Sequence, residues 1–364
     1  MVCVARYAGS AGDAECVSGR LERTERFVKK KIRVVQYGVG PIGAAIVKLM
    51  RTKQAIEVVG AIDKDPSKAG QDLGTLVGAE DAPWGITVAS EAAELLSDGV
   101  DLVTHSTSSS LRDVAGQLLE CVQAGCCLIS TCEELAYPYR KYPDISARLD
   151  AEAKEWGVAL VGTGVNPGFV MDKLLLTVAA ASQRVDHAKA VRIVDASHRR
   201  GPLQKKIGAG LSIDEFRAQV SAGVIKHHGL PESVAMVADG LGFTLDDIIE
   251  KIEPVIAKEA VETKFLNVQA GSVSGVHQIA RGIAGGKDKI YMELKMHVGA
   301  GGSSDTIELT GEPNLTVTIP GGTHGDIATA AVVVNAIPTL LDASAGLRSS
   351  RDLPLCYFPP TALP

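Results

Sequence analysis

Lys31–Asp63, KIRVVQYGVGPIGAAIVKLMRTKQAIEVVGAID, is the stretch on which the fold turns. It opens with a short apolar run, Ile32 to Val35, that reads as a buried strand. The run ends in Gly38-Val39-Gly40-Pro41-Ile42-Gly43, a G-x-G-x-x-G. Ala44 to Met50 has helical composition, Glu57 to Ile62 reads as a second strand, and Asp63 closes it 20 residues after Gly43. The glycine pattern alone is weak evidence. Strand, glycine turn, helix, strand and terminal carboxylate in that order form the context of a dinucleotide site. Gly38 permits the tight turn, Gly40 has no Cβ to hold a pyrophosphate away, and Gly43 lets the helix pack close to the strand. Pro41 and Ile42 open the helix. Pro41 loses nothing there by lacking an N–H, and the free N–H groups and helix dipole attract phosphate. Asp63 is suited to accept hydrogen bonds from the adenosine ribose, which leans the site to NAD. Lys64 beside it would pair with a 2′-phosphate and keeps NADP open.

The chain has 364 residues, enough for two domains and a full core. A hydrophobic content of 46%, 38 glycines and only 4% aromatics suit an α/β enzyme built on Ala, Val, Ile and Leu. A net charge of -6 gives no reason to expect nucleic acid. No apolar run approaches the roughly 18 residues of a membrane helix. The seven cysteines are odd in number and contain no C-x-x-C, so reduced thiols in a cytoplasmic protein are expected. Residues 1–30 lack the apolar core of a secretory signal and read as a mobile extension.

Beyond Asp63 the strand and helix signals keep alternating. Ser90 to Leu96 reads as a short helix, and Val100 to Thr104 as a strand opening into His105-Ser106-Thr107-Ser108-Ser109-Ser110. Leu111 to Ala124 is helical, Cys127 to Ser130 a strand, Asp144 to Glu155 helical and Val158 to Val161 a strand. This is the signature of a Rossmann-type doubly wound parallel sheet over residues 31–171. From Asp172 the pattern changes. Helices are expected over 173–181, 212–222, 230–241 and 245–251, and strands over 188–195, 264–268, 273–282, 289–297, 306–310 and 315–319. They predict a second α+β domain, residues 172–323, with a mainly antiparallel sheet that would serve substrate binding and dimerisation. Residues 324–345 contain an apolar helix expected to return to the first domain, and 346–364 read as a tail.

Several polar groups end strands at the predicted ligand crevice. Ser106 and Thr107 either line the cofactor or merely start a helix. In Thr131-Cys132-Glu133-Glu134 the T-x-x-E spacing makes Glu134 a capping residue and leaves Glu133 the freer carboxylate, available as a general base. Asn166-Pro167-Gly168-Phe169 is a turn whose Asn166 also suits a nicotinamide carboxamide or a substrate group. His198-Arg199-Arg200 is either a solvated charge run or a carboxylate clamp. His227, His228 and His277 show no ligand spacing, so no metal is expected.

These residues together resemble the family of 2,4-diaminopentanoate dehydrogenase and the related native amine dehydrogenases, whose amino-terminal half is similar to dihydrodipicolinate reductase. The resemblance runs from about Lys31 to Leu341. It rests on GVGPIG, AIDKDPSKAGQDLG (Ala61 to Gly74), ISTCEEL (Ile129 to Leu135), GVNPGFVMD (Gly164 to Asp172), HRRGPLQKKIG (His198 to Gly208) and HGDIATAAVVVNAIP (His324 to Pro338). It implies NAD(P)-dependent, reversible oxidative deamination of a primary amine to ketone and ammonia, with a glutamate of the CEEL segment, Glu133 or Glu134, in catalysis. It further implies a pocket shaped by Asn166, Pro167, Gly168 and Phe169, substrate contacts from His198, Arg199 and Arg200, and a homodimer. An imine reductase of the dihydrodipicolinate-reductase kind and a non-catalytic NAD(P)-binding sensor are the competing expectations.

Overall fold

Seven parallel strands make the first sheet: β1 Ile32–Tyr37, β2 Ile56–Ile62, β3 Val88–Ala89, β4 Leu102–His105, β5 Cys127–Ser130, β6 Ala159–Gly162 and β15 Gly346–Arg348, in the spatial order β15-β6-β5-β4-β1-β2-β3. The structure is a computed structural model that describes residues 31–96 and 99–360; the extension expected over 1–30 lies outside the described residues. β1, β4 and β6 are buried almost throughout, as near-continuous apolar strands are when helices cover both faces. On one face α1, Pro41–Arg51, and α8, Gly325–Leu341, lie side by side and bury Ile46, Met50, Val333, Val334 and Ile337. On the other, α2, Leu111–Gln123, and α3, Pro143–Glu155, bury Leu118, Val122, Leu149 and Ala153. The strand order reverses beside β1, so a crevice opens at the carboxyl ends of β1 and β4.

The second half carries α4 Lys173–Ala179, β7 Arg184–Asp195, α5 Gly201–Lys206, α6 Ile213–Ser221, α7 Leu230–Leu241, β8 Asp247–Ile256, β9 Val261–Glu262, β10 Asn267–Val268, β11 Val273–Ala284, β12 Lys287–His297, β13 Ser304–Glu312 and β14 Leu315–Pro320. Six strands form a sheet in the order β14-β13-β7-β12-β11-β8, antiparallel except where β12 runs parallel to β7; β9 and β10 pair separately. α7 covers this sheet, with Leu230, Val234 and Val237 set against Ala188, Ala190, Ala280 and Met292.

Four local expectations are corrected. Residues 245–251 are not helical, because Asp247–Ile256 pairs along its length with β11. The strand expected over 264–268 shrinks to Asn267–Val268. The helix expected over Ser90 to Leu96 is a 3-10 turn, Ala92–Glu94. The tail contains β15, pinned beside β6 by the Gly346 N–H to the Val158 carbonyl, 2.9 Å, and the Leu347 N–H to Asp150, 3.1 Å.

Candidate active site

The glycine turn is packed on one side and open on the other. Gly38 has φ +87°, and a Cβ there would lie 2.6 Å from the Ser106 carbonyl oxygen; one on Gly43 would lie 2.0 Å from the Gly38 carbonyl oxygen. A Cβ on Gly40 would meet nothing within 4 Å. Pro41 opens α1, whose start has no side-chain cap, and Ile42 faces the cleft. Open space over uncapped N–H groups at a helix start fits a pyrophosphate. Ser106 fastens the turn: its hydroxyl donates to the Gly38 carbonyl, 3.0 Å, and accepts from Gln36 Nε2, 2.9 Å. Thr107 donates to Gln117, 2.8 Å, beside buried His105, whose pKa burial pushes down to about 4.

Asp63 sits at the carboxyl end of β2. It accepts from the Val39 N–H, 2.8 Å, the Asp65 N–H, 3.0 Å, and Lys68 Nζ, 2.8 Å. Burial works against its charge, but these donors hold the carboxyl below the usual range. Lys64 is exposed and does not reach Asp63; the cation at the ribose end is Lys68, which sequence reading passed over.

Glu133 and Glu134 share a 3-10 turn, Glu133–Leu135, yet point into different surroundings. Glu134 is buried and saturated. Its Oε1 accepts from Lys141 Nζ, 2.6 Å, and faces His228 Nδ1 at 3.4 Å; its Oε2 accepts from the Leu111 N–H, 2.9 Å, and the Tyr142 hydroxyl, 2.8 Å. Burial alone would raise its pKa, but His228, Lys141, the Leu111 N–H and Tyr142 together hold it well below the ordinary glutamate range. The T-x-x-E expectation is thereby corrected: no side chain caps the turn at Cys132, and Glu134 instead caps α2 through Leu111. Glu133 lines the cleft, and its Oε2 is buried with no hydrogen-bond partner among the described residues. Burial raises its pKa, against the opposing pull of the Ser109 side chain, Lys206 and His228.

Glu133 is not alone. The cleft, about 310 Å³, is also lined by Ser106, Thr107, Asn166, Pro167, Arg192 and His227. Both amide atoms of Asn166 and Nδ1 of His227 are likewise buried without partners among the described residues. Buried polar groups are ordinarily bonded, so three such side chains on one cavity mark a place built for a polar ligand. His227 is fixed by its own backbone: its N–H donates to Gln278 Oε1, 3.0 Å, and its carbonyl accepts from Gln278 Nε2, 2.7 Å. Burial, with Lys206 and Arg192 nearby, pushes its pKa down to about 3, so the ring is neutral.

The opposite wall is basic. Arg192, Arg199, Arg200 and Lys206 line it. Arg192 pairs with Asp305 at 2.7 Å in a buried bridge, and Arg199 and Arg200 share Asp326 at 3.1 and 3.5 Å. Lys206 has no ion pair among the described residues. Directly after Arg200 the chain forms α5, with Pro202 in its first turn. His198 is exposed and outside the lining of the cleft. Gly168 and Phe169 do not line it either; they border a separate cavity of about 230 Å³ beside α8. Gly168, at φ +118°, serves the turn, its N–H bonded to buried Asp172 at 2.8 Å. Arg192, His227 and Asp326 carried no signal in the sequence, because each reaches the cleft from a segment that looks ordinary on its own. Among the described residues no group of three or more His, Cys, Asp or Glu is disposed to hold a metal, and no helix is long and apolar enough to cross a membrane.

A glycine turn at the switch point of a parallel sheet, a terminal ribose-type carboxylate and an unpartnered carboxyl across the crevice define a nicotinamide-dependent oxidoreductase. The model of the 2,4-diaminopentanoate dehydrogenase C-terminal domain matches residues 169–360. The chain belongs to the 2,4-diaminopentanoate dehydrogenase family, and it is an NAD(P)-dependent oxidoreductase of the CH–NH2 class. It is 29% identical over 339 residues to 2,4-diaminopentanoate dehydrogenase of Acetoanaerobium sticklandii, covering 90% of this chain and 94% of that one. It is 24% identical over 349 residues to amine dehydrogenase of Streptomyces virginiae, covering 89% and 96%. Among solved structures, amine dehydrogenase from Mycobacterium smegmatis superposes with a TM-score of 0.80 at 27% identity, covering 92% of this chain and 99% of that one.

Proposed function

We propose that the protein oxidatively deaminates a primary amine that also carries a carboxylate, of the 2,4-diaminopentanoate kind, to the ketone and ammonia, and runs the reverse reductive amination. One observation carries this reading: unpartnered Glu133, Asn166 and His227 face a single cleft whose other wall is basic. Gly38, Gly40, Pro41, Ile42 and Gly43 would hold the pyrophosphate of NAD(P), Asp63 its adenosine ribose, and Ser106, Thr107 and Asn166 its nicotinamide half. Bound there, the cofactor supplies hydride acceptance and donation. Glu133 removes a proton from the substrate ammonium, freeing the nitrogen lone pair to drive out hydride. Once that proton has been released to solvent, the regenerated carboxylate acts as base for the water that attacks the iminium carbon; the carbinolamine collapses to the ketone, ammonia leaves, and the second proton remains on Glu133. Neutral His227 adds no charge to repel the ammonium. Arg199 and Arg200 together exceed Asp326 by one positive charge, and Lys206 adds another, so this wall carries a surplus of positive charge that suits a substrate carboxylate.

The test is NAD⁺ and NADP⁺ reduction at alkaline pH with 2,4-diaminopentanoate beside simple chiral alkyl amines, and ketone plus ammonia with NAD(P)H. Turnover of the amino acid well above that of alkyl amines is expected. Preference for alkyl amines would overturn the carboxylate reading. Cofactor binding without turnover of any amine would move the assignment to an imine reductase or a sensor.

Both cofactors fit this reading. Lys68 neutralises Asp63, which would otherwise repel a 2′-phosphate, and can turn to that phosphate. Lys68→Met is expected to lower kcat/KM for NADP about tenfold relative to NAD, the equivalent of one charge-assisted hydrogen bond of roughly 1.5 kcal/mol. An unchanged cofactor ratio would rule Lys68 out. In the same reading the protein is a cytoplasmic homodimer. Five cysteines among the described residues are free thiols, and β8 is an edge strand with Ile249 and Ile256 exposed. Light scattering reads the assembly state.

A further inference from the structure

Deamination leaves a proton on a carboxyl whose Oε2 is shut off from water, and a second imidazole stands beside it. We propose that His228 is the proton shuttle between Glu133 and solvent, oriented by Glu134; this rests on the role given to Glu133 above. Three observations support it.

First, the turn bearing His228 is pressed against Glu133. A Cβ on the next residue, Gly229, would lie 3.2 Å from Glu133 Cβ and 2.5 Å from the Pro167 ring. Gly229, at φ +95°, also starts α7, so the turn cannot draw back without moving that helix.

Second, His228 bridges two environments. Its side chain is 27% exposed, whereas Oε2 of Glu133 is buried. Its neighbour His227 is spoken for by the cleft, so the two adjacent histidines divide into one ring facing the ligand and one facing outward.

Third, the ring has an orienting carboxylate. Nδ1 lies 3.4 Å from Glu134 Oε1, and Glu134 is itself immobilised by Lys141, Tyr142 and the Leu111 N–H. A carboxylate on one ring nitrogen fixes tautomer and orientation and leaves the other nitrogen for proton transfer. The titratable and charged groups around this turn are Glu133 and Glu134 from the 3-10 turn, Lys141 behind Glu134, His227 beside it and Lys206 from α5.

The step balances simply. Each proton that Glu133 takes, first from the substrate ammonium and then from the attacking water, passes from its carboxyl to Nε2 of His228, directly or through one water, and from Nε2 to bulk solvent. In reductive amination it travels inward. No electron moves and no co-reactant is consumed.

His228→Asn and His228→Gln test this in the full-length protein, with the amine that the wild type turns over best. The expected result is a kcat lowered about tenfold, below the roughly 10²–10⁴-fold of a direct acid–base group because His228 only relays the proton. KM for amine and cofactor should stay within about twofold and the melting temperature should not move. The solvent deuterium isotope effect on kcat should rise, and added imidazole should restore much of the lost rate. Unchanged kcat, or a lowered kcat that imidazole does not restore, overturns the shuttle while leaving the role of Glu133 intact. A wild type that turns over no amine, although it binds cofactor, removes the parent reading and the shuttle together.

Discussion

Replacing Glu133 by glutamine is expected to lower amine turnover by about 10²–10⁴-fold, with NAD(P) affinity and melting temperature kept. The change exchanges one oxygen for an amide nitrogen at a group whose Oε2 has no partner, so no fold-stabilising contact of that atom is lost. What disappears is the only cleft-lining carboxylate among the described residues that is not already in an ion pair, since Asp326 is shared by Arg199 and Arg200. The pH profiles should show the same residue. Burial holds the Glu133 pKa above the ordinary glutamate value. Amine oxidation needs the ionised form and should fall as the pH drops through that raised pKa. Reductive amination draws on the protonated form and should fall as the pH rises through it. Both limbs should vanish from the residual activity of Glu133→Gln, measured by nicotinamide absorbance in each direction. A variant that keeps full kcat and the wild-type profile would sink the assignment.

The difference between Glu133 and Glu134 shows where sequence reading reached and where it stopped. The first sheet could be read because its signals are local: a glycine turn of fixed spacing, apolar strands and a terminal carboxylate lie within 33 residues, Lys31 to Asp63. The T-x-x-E spacing singled out Glu134 as a capping residue but named the wrong helix. Its acceptor duty is to Leu111, 23 residues upstream, and to His228, 94 residues downstream. Neither link leaves a trace in spacing. His227 and His228 likewise looked isolated, because what they serve is contributed by another strand end. β8 was misread for a related reason. Leu245, Ile248 and Ile249 fall at helical i, i+3, i+4 spacing among Asp, Glu and Lys, and only pairing with β11 makes residues 247–256 a strand; strand preference depends on neighbours more than on the segment itself. Lys68 escaped because Lys64, next to Asp63, was the cation read as available to a 2′-phosphate, whereas the turn brings the side chain five residues on from Asp63 back to its carboxylate. At three residues, β15 is too short to show any period.

Glu134→Ala should differ from Glu133→Gln by losing stability first, with turnover in the folded protein falling no further than the roughly tenfold expected when the His228 shuttle is lost. Truncation strands the Leu111 N–H, the Tyr142 hydroxyl and Lys141 around a buried void. Breaking a buried ion pair costs about 3–5 kcal/mol. The low end applies, because the Lys141 side chain is 44% exposed and can turn to water. A loss of about 3 kcal/mol corresponds to a fall in melting temperature on the order of 5–10 °C. Acid should close the gap. The folded pKa of Glu134 lies below its unfolded value, so its contribution is fully present above the ordinary glutamate pKa and is lost as the pH falls towards the folded one. Thermal melts of wild type and Glu134→Ala should therefore converge as the pH drops below the ordinary glutamate range and diverge again at neutrality. A Glu134→Ala protein that melts like wild type yet has lost turnover by the roughly 10²–10⁴-fold of a direct acid–base group would reverse the roles of the two glutamates: Glu134 would then be the acid–base group, and the carboxyl of Glu133 would have to be explained as a cofactor or ammonium contact alone.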